Sequence, residues 1–277
     1  METRTLTAAT TPTVFGLDVT SSGISISKLS GDEKPLCKRI PAPTAVGKSH
    51  SVASGLHRQR STTRLVIDTV LRDDVRPHLV VMGKLSWTVQ GKDPSAGRRA
   101  AQWWDIAAAL TDHHVPVAEV PLGTAASWAM DKSPGLKAAG LQELRNDTAA
   151  KWEGLDEDFK TAGDQFRPSA VLYACFGAMA IGMPTPYAPT RQRITKLTQH
   201  FGWYMSKVGV KVQGWIPSLS VQYPAAVRPV PTTVAEWKSR ADELGVAVPE
   251  PELDVTAEVD DEDFDDTAMV VDDDEVA

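Results

Sequence analysis

Val14-Phe15-Gly16-Leu17-Asp18-Val19 is a short apolar run broken only by a glycine and one acid. Thr20-Ser21-Ser22-Gly23 follows it, small and hydroxylic, and Ile24-Ser25-Ile26-Ser27-Lys28-Leu29 then alternates apolar and polar. The pattern predicts a β-hairpin: a buried strand, a tight turn and a half-exposed return strand. Asp18 is the anomaly, because a carboxylate on a buried strand is costly without partners. One reading makes it a turn-capping aspartate that accepts from the backbone at Thr20 or Ser21. The other gives it a functional role, and its buried position favours that second reading.

Working outward, Leu36–Ile40 reads as a third strand, and residues 41–55 as a Pro/Ser/Gly-rich mobile loop. A helix is expected over Leu56–Val75, with Arg58, Arg60 and Arg64 on its early turns. A compact strand at Pro77–Met82, a helix at Gly97–His113 and a strand at Val115–Val120 come next. Helical spacing returns at residues 138–152, at the Ala-rich 169–181 and at 191–207, and 208–224 reads as short strands or extended chain. This order predicts an α/β domain with a five-stranded mixed sheet flanked by helices. The organisation expected is a flexible N-terminus (1–12), the domain (13–207), a C-terminal extension (208–248) and a disordered acidic tail (249–277). Such a tail has too little apolar surface to offset chain entropy.

The 277 residues are 42% hydrophobic and 23% charged, ordinary for a globular chain. No run approaches the ~20 apolar residues of a membrane span. The first residues lack a basic-then-apolar signal pattern, and Cys37 and Cys175 make neither a disulfide framework nor a metal-ligand spacing. The expectation is a reducing cytoplasm. The net charge of -7 conceals an asymmetry. Residues 250–277 hold 14 acids and no Lys or Arg, so the rest carries 22 acids against all 29 bases, a net of +7. A basic body with an acidic tail suits a protein that handles polyanions, and the tail reads either as an internal competitor for the basic body or as an aid to solubility.

The run Phe15 to Ile24 resembles the first motif of the RuvC-type junction resolvases within the RNase H-like superfamily. Pro77–Lys84 resembles that family's fourth strand, and the helix at 98–110 with Pro116–Pro121 its next helix and strand. Ala170–Pro184 is similar to the Ala-rich final helix and Gly-Pro exit of phage and actinobacterial members. The resemblance spans residues 14–205 and implies an RNase H-like fold. It also implies branched or single-stranded DNA as partner, pairing as a homodimer, and Mg²⁺ or Mn²⁺ as cofactor of phosphodiester cleavage. That chemistry needs about four carboxylates around two metal ions ~3.5–4 Å apart. Asp18 matches the first. The second falls on Gly83 or Lys84, and the final-helix pair on Phe166 and Ser169. Asp164, two residues before Phe166, is the substitute metal ligand and catalytic acid expected beside Asp18. One or two carboxylates hold Mg²⁺ poorly, since the ion keeps its waters unless several hard ligands converge. The resemblance therefore implies a DNA-binding protein whose cleavage is weak or lost, a pseudoenzyme. A non-catalytic scaffold or protein-interaction module is the alternative. A phosphate binder of the actin or sugar-kinase type is disfavoured, because a second Asp-Gly phosphate loop is missing.

For DNA contact, Arg58, Arg60, Arg64 and Lys84 are the candidate phosphate partners, and Trp87 is the candidate for stacking on unpaired bases. Lys38, Arg39, Lys48, His50 and His57 extend the basic edge. Trp103 and Trp128 are weaker stacking candidates, while Trp104 at helical spacing is expected in the core. His113-His114 reads as the polar end of a helix.

Overall fold

The computed structural model describes residues 7–8, 11–43, 52–72, 75–85, 96–132, 134–163, 165–201, 203–205, 211–213, 215–216 and 231–244. In chain order the strands are β1 (Thr7–Ala8), β2 (Thr13–Thr20), β3 (Gly23–Ser30), β4 (Leu36–Pro41), β5 (Val75–Arg76), β6 (Leu79–Gly83), β7 (Val117–Val120), β8 (Trp203–Met205), β9 (Lys211–Gln213) and β10 (Trp215–Ile216). The helices are α1 (Val52–Val70), α2 (Ala96–Asp112), α3 (Leu122–Met130), α4 (Ala138–Ala149), α5 (Leu155–Thr161), α6 (Ser169–Ala180), α7 (Arg191–Phe201) and α8 (Val234–Glu243).

The main sheet runs β7-β6-β2-β3-β4, with the two-residue β10 added beside β7. β2 pairs antiparallel with β3 across the expected hairpin and parallel with β6, which in turn pairs parallel with β7. This is the five-stranded mixed sheet flanked by helices that the order of the sequence elements predicts. β2 lies inside the sheet with a helix layer on each side, and its two faces feed two separate cores. Phe15, Leu17 and Val19 pack with Val66, Val70, Trp103 and Ile106 of α1 and α2. Val14 packs with α6, whose twelve residues are all buried. A helix apolar on every side must be covered on every side: α6 has β2, β3 and β6 beneath it and α3, α4 and α7 around it.

The approach of α6 to β2 depends on two glycines. A Cβ at Gly16 would lie 1.9 Å from the Ala170 carbonyl oxygen, and one at Gly177 would lie 2.4 Å from Val81 Cγ2. Only residues without side chains let the helix settle this close.

The elements differ from the sequence expectation in places. α1 begins at Val52 and ends at Val70, earlier at both ends than Leu56–Val75. The segment read as helix to residue 207 stops at Phe201 and turns into β8. Three helices, α3, α5 and α8, lie where none is expected. α3 is Gly/Ala/Ser-rich and so lacks an apolar stripe, and α5 has only seven residues. α8 does announce itself locally: Thr233 Oγ1 accepts from Glu236 N–H, while the Glu236 carboxylate accepts from Thr232 N–H at 2.7 Å, a variant of the capping box. The tail at 249–277, Trp87 and Asp164 all lie outside the described residues. Among the described residues, no helix is long and apolar enough to cross a membrane.

Candidate functional site

The ladder between β2 and β6 runs to Leu17 opposite Met82. Its next step puts Asp18 level with Gly83, at the end of β2 that leads into the hairpin turn. Asp18 turns toward α6, where Ser169 at the helix start donates its hydroxyl to Asp18 Oδ2. The capping alternative fails: Thr20 Oγ1, not Asp18, closes the turn by donating to the Gly23 carbonyl at 2.6 Å.

The room left by Gly83 is filled by an aromatic side chain. A Cβ on Gly83 would stand 2.8 Å from both the ring and the hydroxyl of Tyr173. Burial pushes the Tyr173 hydroxyl well above its ordinary pKa, and the neighbouring Asp18 carboxylate adds to that rise. Tyr173 therefore stays neutral at any physiological pH. Gly83 is held in turn by Trp103, whose indole N–H donates to its carbonyl at 2.8 Å.

Positive charge approaches Asp18 from two further elements. Arg39 of β4 donates to Ser22 Oγ at 2.9 Å and to the Gln165 carbonyl at 2.9 Å and side-chain oxygen at 3.0 Å. Burial lowers the Arg39 pKa, Arg167 lowers it further, and the charge of Asp18 opposes both. Arg167 is anchored through its backbone N–H, which donates to Ser25 Oγ at 2.9 Å. Asp18 thus has the Ser169 hydroxyl as its hydrogen-bond partner and Tyr173 as a neighbour, with the charge of Arg39 within electrostatic reach.

Such a set does not fit a pair of divalent ions. Of the positions that the resemblance aligns with metal ligands, Asp18 alone is a carboxylate. Gly83 has no side chain, Ser169 donates to Asp18, and Phe166 is buried and stacked on Phe159 at 5.3 Å between ring centroids. Lys84 is exposed and pairs with Glu119 at 3.2 Å. Two further acids are engaged elsewhere: Asp131 pairs with Arg193 at 2.6 Å, and Asp147 pairs with Lys151 at 3.3 Å. Among the described residues, no cluster of three or more His, Cys, Asp or Glu could hold a metal.

The candidate DNA residues separate. Arg58 is half-buried and lines a cavity of about 370 Å³ together with Arg98 and Arg99. Arg60 is exposed, and Arg64 is exposed with its guanidinium 3.7 Å from Asp68. Lys38 donates to Thr69 Oγ1 at 3.0 Å. Trp103 and Trp128 are buried and closed to base stacking, whereas Trp104, expected in the core, is 53% exposed. Adjacent helical residues point about 100° apart, so burying Trp103 turns Trp104 outward; spacing alone does not say which of the pair faces the sheet. Arg98 and Arg99 escaped the sequence reading because a pair of basic residues at a helix start looks like any solvated turn.

The two thiols are shielded. Burial, and then the charge of Asp158, push Cys37 up to about 12, and burial raises Cys175 further. Because the thiolate is the nucleophile, native protein at pH 8 should react with iodoacetamide only on the timescale of unfolding. Stoichiometric labelling within minutes in the absence of denaturant would contradict this placement.

No family model and no curated protein match the chain. Among solved structures, the chain is similar to Thermus thermophilus RuvC: 11% identity, TM-score 0.39, over 58% of this chain and 90% of that one. It is also similar to T. thermophilus RuvC in complex with a Holliday junction substrate: 15% identity, TM-score 0.41, over 59% of this chain and 90% of that one. Neither likeness decides anything about the chemistry of this chain.

Proposed function

We propose that the chain is a RuvC-type DNA-binding protein that recognises branched or single-stranded DNA in recombination, replication or repair, without efficient metal-dependent cleavage. The observation that carries this reading is the surroundings of Asp18. A serine hydroxyl and a neutral tyrosine take the space where metal-binding acids would converge, and Asp18 stands there as a single carboxylate. A divalent ion there would find a single carboxylate ligand. The basic charge of the body supports polyanion binding. Pairing of two copies belongs to the same proposal and is read from the mass in sedimentation equilibrium.

The test is a fluorescence-anisotropy titration of a four-way junction and of a single strand, followed by incubation in Mg²⁺ or Mn²⁺. Binding is expected at 50 mM salt, weakening on the order of fortyfold by 200 mM when about three arginines neutralise phosphates. Cleavage is expected to stay at background. A chain ending at residue 248 should bind more tightly at low salt, with the difference shrinking as salt screens the acidic segment. Equal affinity across the salt series leaves that segment a solubility role only. Metal-dependent cleavage that disappears in Asp18→Asn would overturn the loss of activity. Absence of binding at low salt would overturn the DNA reading and leave the scaffold alternative.

A further inference from the structure

On the opposite face of the hairpin from Asp18, the turn at residues 20–23, the end of β4 and the first halves of α1 and α2 enclose the cavity of about 370 Å³. Three arginines reach it: Arg58 from α1, and Arg98 and Arg99 from the first turn of α2. No Asp or Glu is among its described lining residues, and the first turn of α2 holds no acid. Backbone N–H groups in that turn add the partial positive charge of a helix start.

The spacing of the arginines is held by a polar seam between the helices. Gln59 donates to the Ala101 carbonyl at 3.3 Å, and Gln102 donates to Thr63 Oγ1 at 2.8 Å and to the Gln59 carbonyl at 3.4 Å. Asp105, the nearest acid along α2, accepts from the Thr63 hydroxyl one turn beyond the pocket and is occupied there. Ile24 and Pro43 supply an apolar wall. A cavity of this size admits a small organic ligand, the arginines match the tetrahedral oxygens of a phosphate, and the apolar wall suits a sugar or base edge. α1 begins, and the parallel strands β2 and β6 end, at this same edge of the sheet, where α/β folds commonly seat ligands.

We propose that this pocket is a phosphate-ester site that seats one nucleotide, either within a bound DNA strand or as a free nucleoside monophosphate. The strand form rests on the DNA-binding reading above; the free-nucleotide form stands without it. With the full chain, calorimetry compares dAMP, deoxyadenosine and inorganic phosphate, and anisotropy follows a labelled single strand. dAMP should bind at least tenfold more tightly than deoxyadenosine. Arg58→Gln with Arg98→Gln should weaken dAMP and strand at least tenfold, whereas the charge-matched pair Lys137→Gln with Arg191→Gln, at the start of α4 and on α7, should change neither by more than about twofold. Arg98→Glu alone, at an exposed position, repeats the test should the double variant lose its native melting transition.

Equal losses in the two charge-matched pairs would overturn the pocket while the DNA reading stands. A wild-type chain that ignores DNA yet binds dAMP through Arg58 and Arg98 would overturn the DNA reading and keep the pocket. Binding of neither ligand would overturn both.

Discussion

Gly16→Val is expected to lower the stability of the domain by at least about 3 kcal/mol, the upper range for overpacking a closed core. The added side chain has no escape: its Cβ would lie 1.9 Å from the Ala170 carbonyl oxygen and 2.5 Å from the Ala174 nitrogen, both backbone atoms of α6. The helix must rise from the sheet, and Ser169, one residue before that contact, leaves Asp18 with it. For a domain of this size the melting temperature should fall by roughly 6–12 °C, a large part of a total stability of about 5–15 kcal/mol. A urea midpoint indistinguishable from wild type would mean that α6 does not lie against β2 as described. Gly55→Ala, where an added Cβ meets nothing within 4 Å, is the matched control and should be neutral to slightly stabilising, since alanine is the better helix former.

Trp237→Ala should cost about 3–5 kcal/mol, the range for emptying a buried aromatic site. Trp237 is 1% exposed, lies in the core built around α6, and donates its indole N–H to the Met179 carbonyl at 3.1 Å. That carbonyl belongs to the last turn of α6, where helical N–H donors run out, and it also accepts from Gly182 N–H at 3.1 Å. Trp237→Phe separates the two contributions: it keeps most of the ring and loses only the hydrogen bond, for about 1 kcal/mol. A small, equal effect of both changes in chemical denaturation would detach α8 from the core.

The hairpin and its neighbours were legible because their signal is local. Alternation at Ile24–Leu29 and the apolar run at Val14–Val19 state which residues must be buried, and a two-residue period leaves one way to pair them. The strands at 36–41, 79–83 and 117–120, and the helices α2, α4 and α6, followed from the same kind of pattern. α8 was missed because its apolar residues are few, although its cap was readable in Thr232, Thr233 and Glu236. Trp104 was misplaced because a helical period marks a face without saying which of two adjacent tryptophans occupies its centre.

The sequence by itself determined that a lone aspartate would stand on a buried strand, that few of the expected metal-binding acids would accompany it, and that the body would be basic. Tertiary structure decided what stands in their place. Ser169 reaches Asp18 across 151 residues of chain, and Arg39 reaches Gln165 across 126. Tyr173 enters the space of Gly83, and Arg58 meets Arg98 and Arg99 through the packing of α1 on α2. Periodicity encodes the burial of each element, which is a property of neighbours in sequence. Which side chains converge at the end of a sheet depends on the docking of whole elements, and here that docking is set by close approaches such as Gly16 on α6, visible only when both partners are in place.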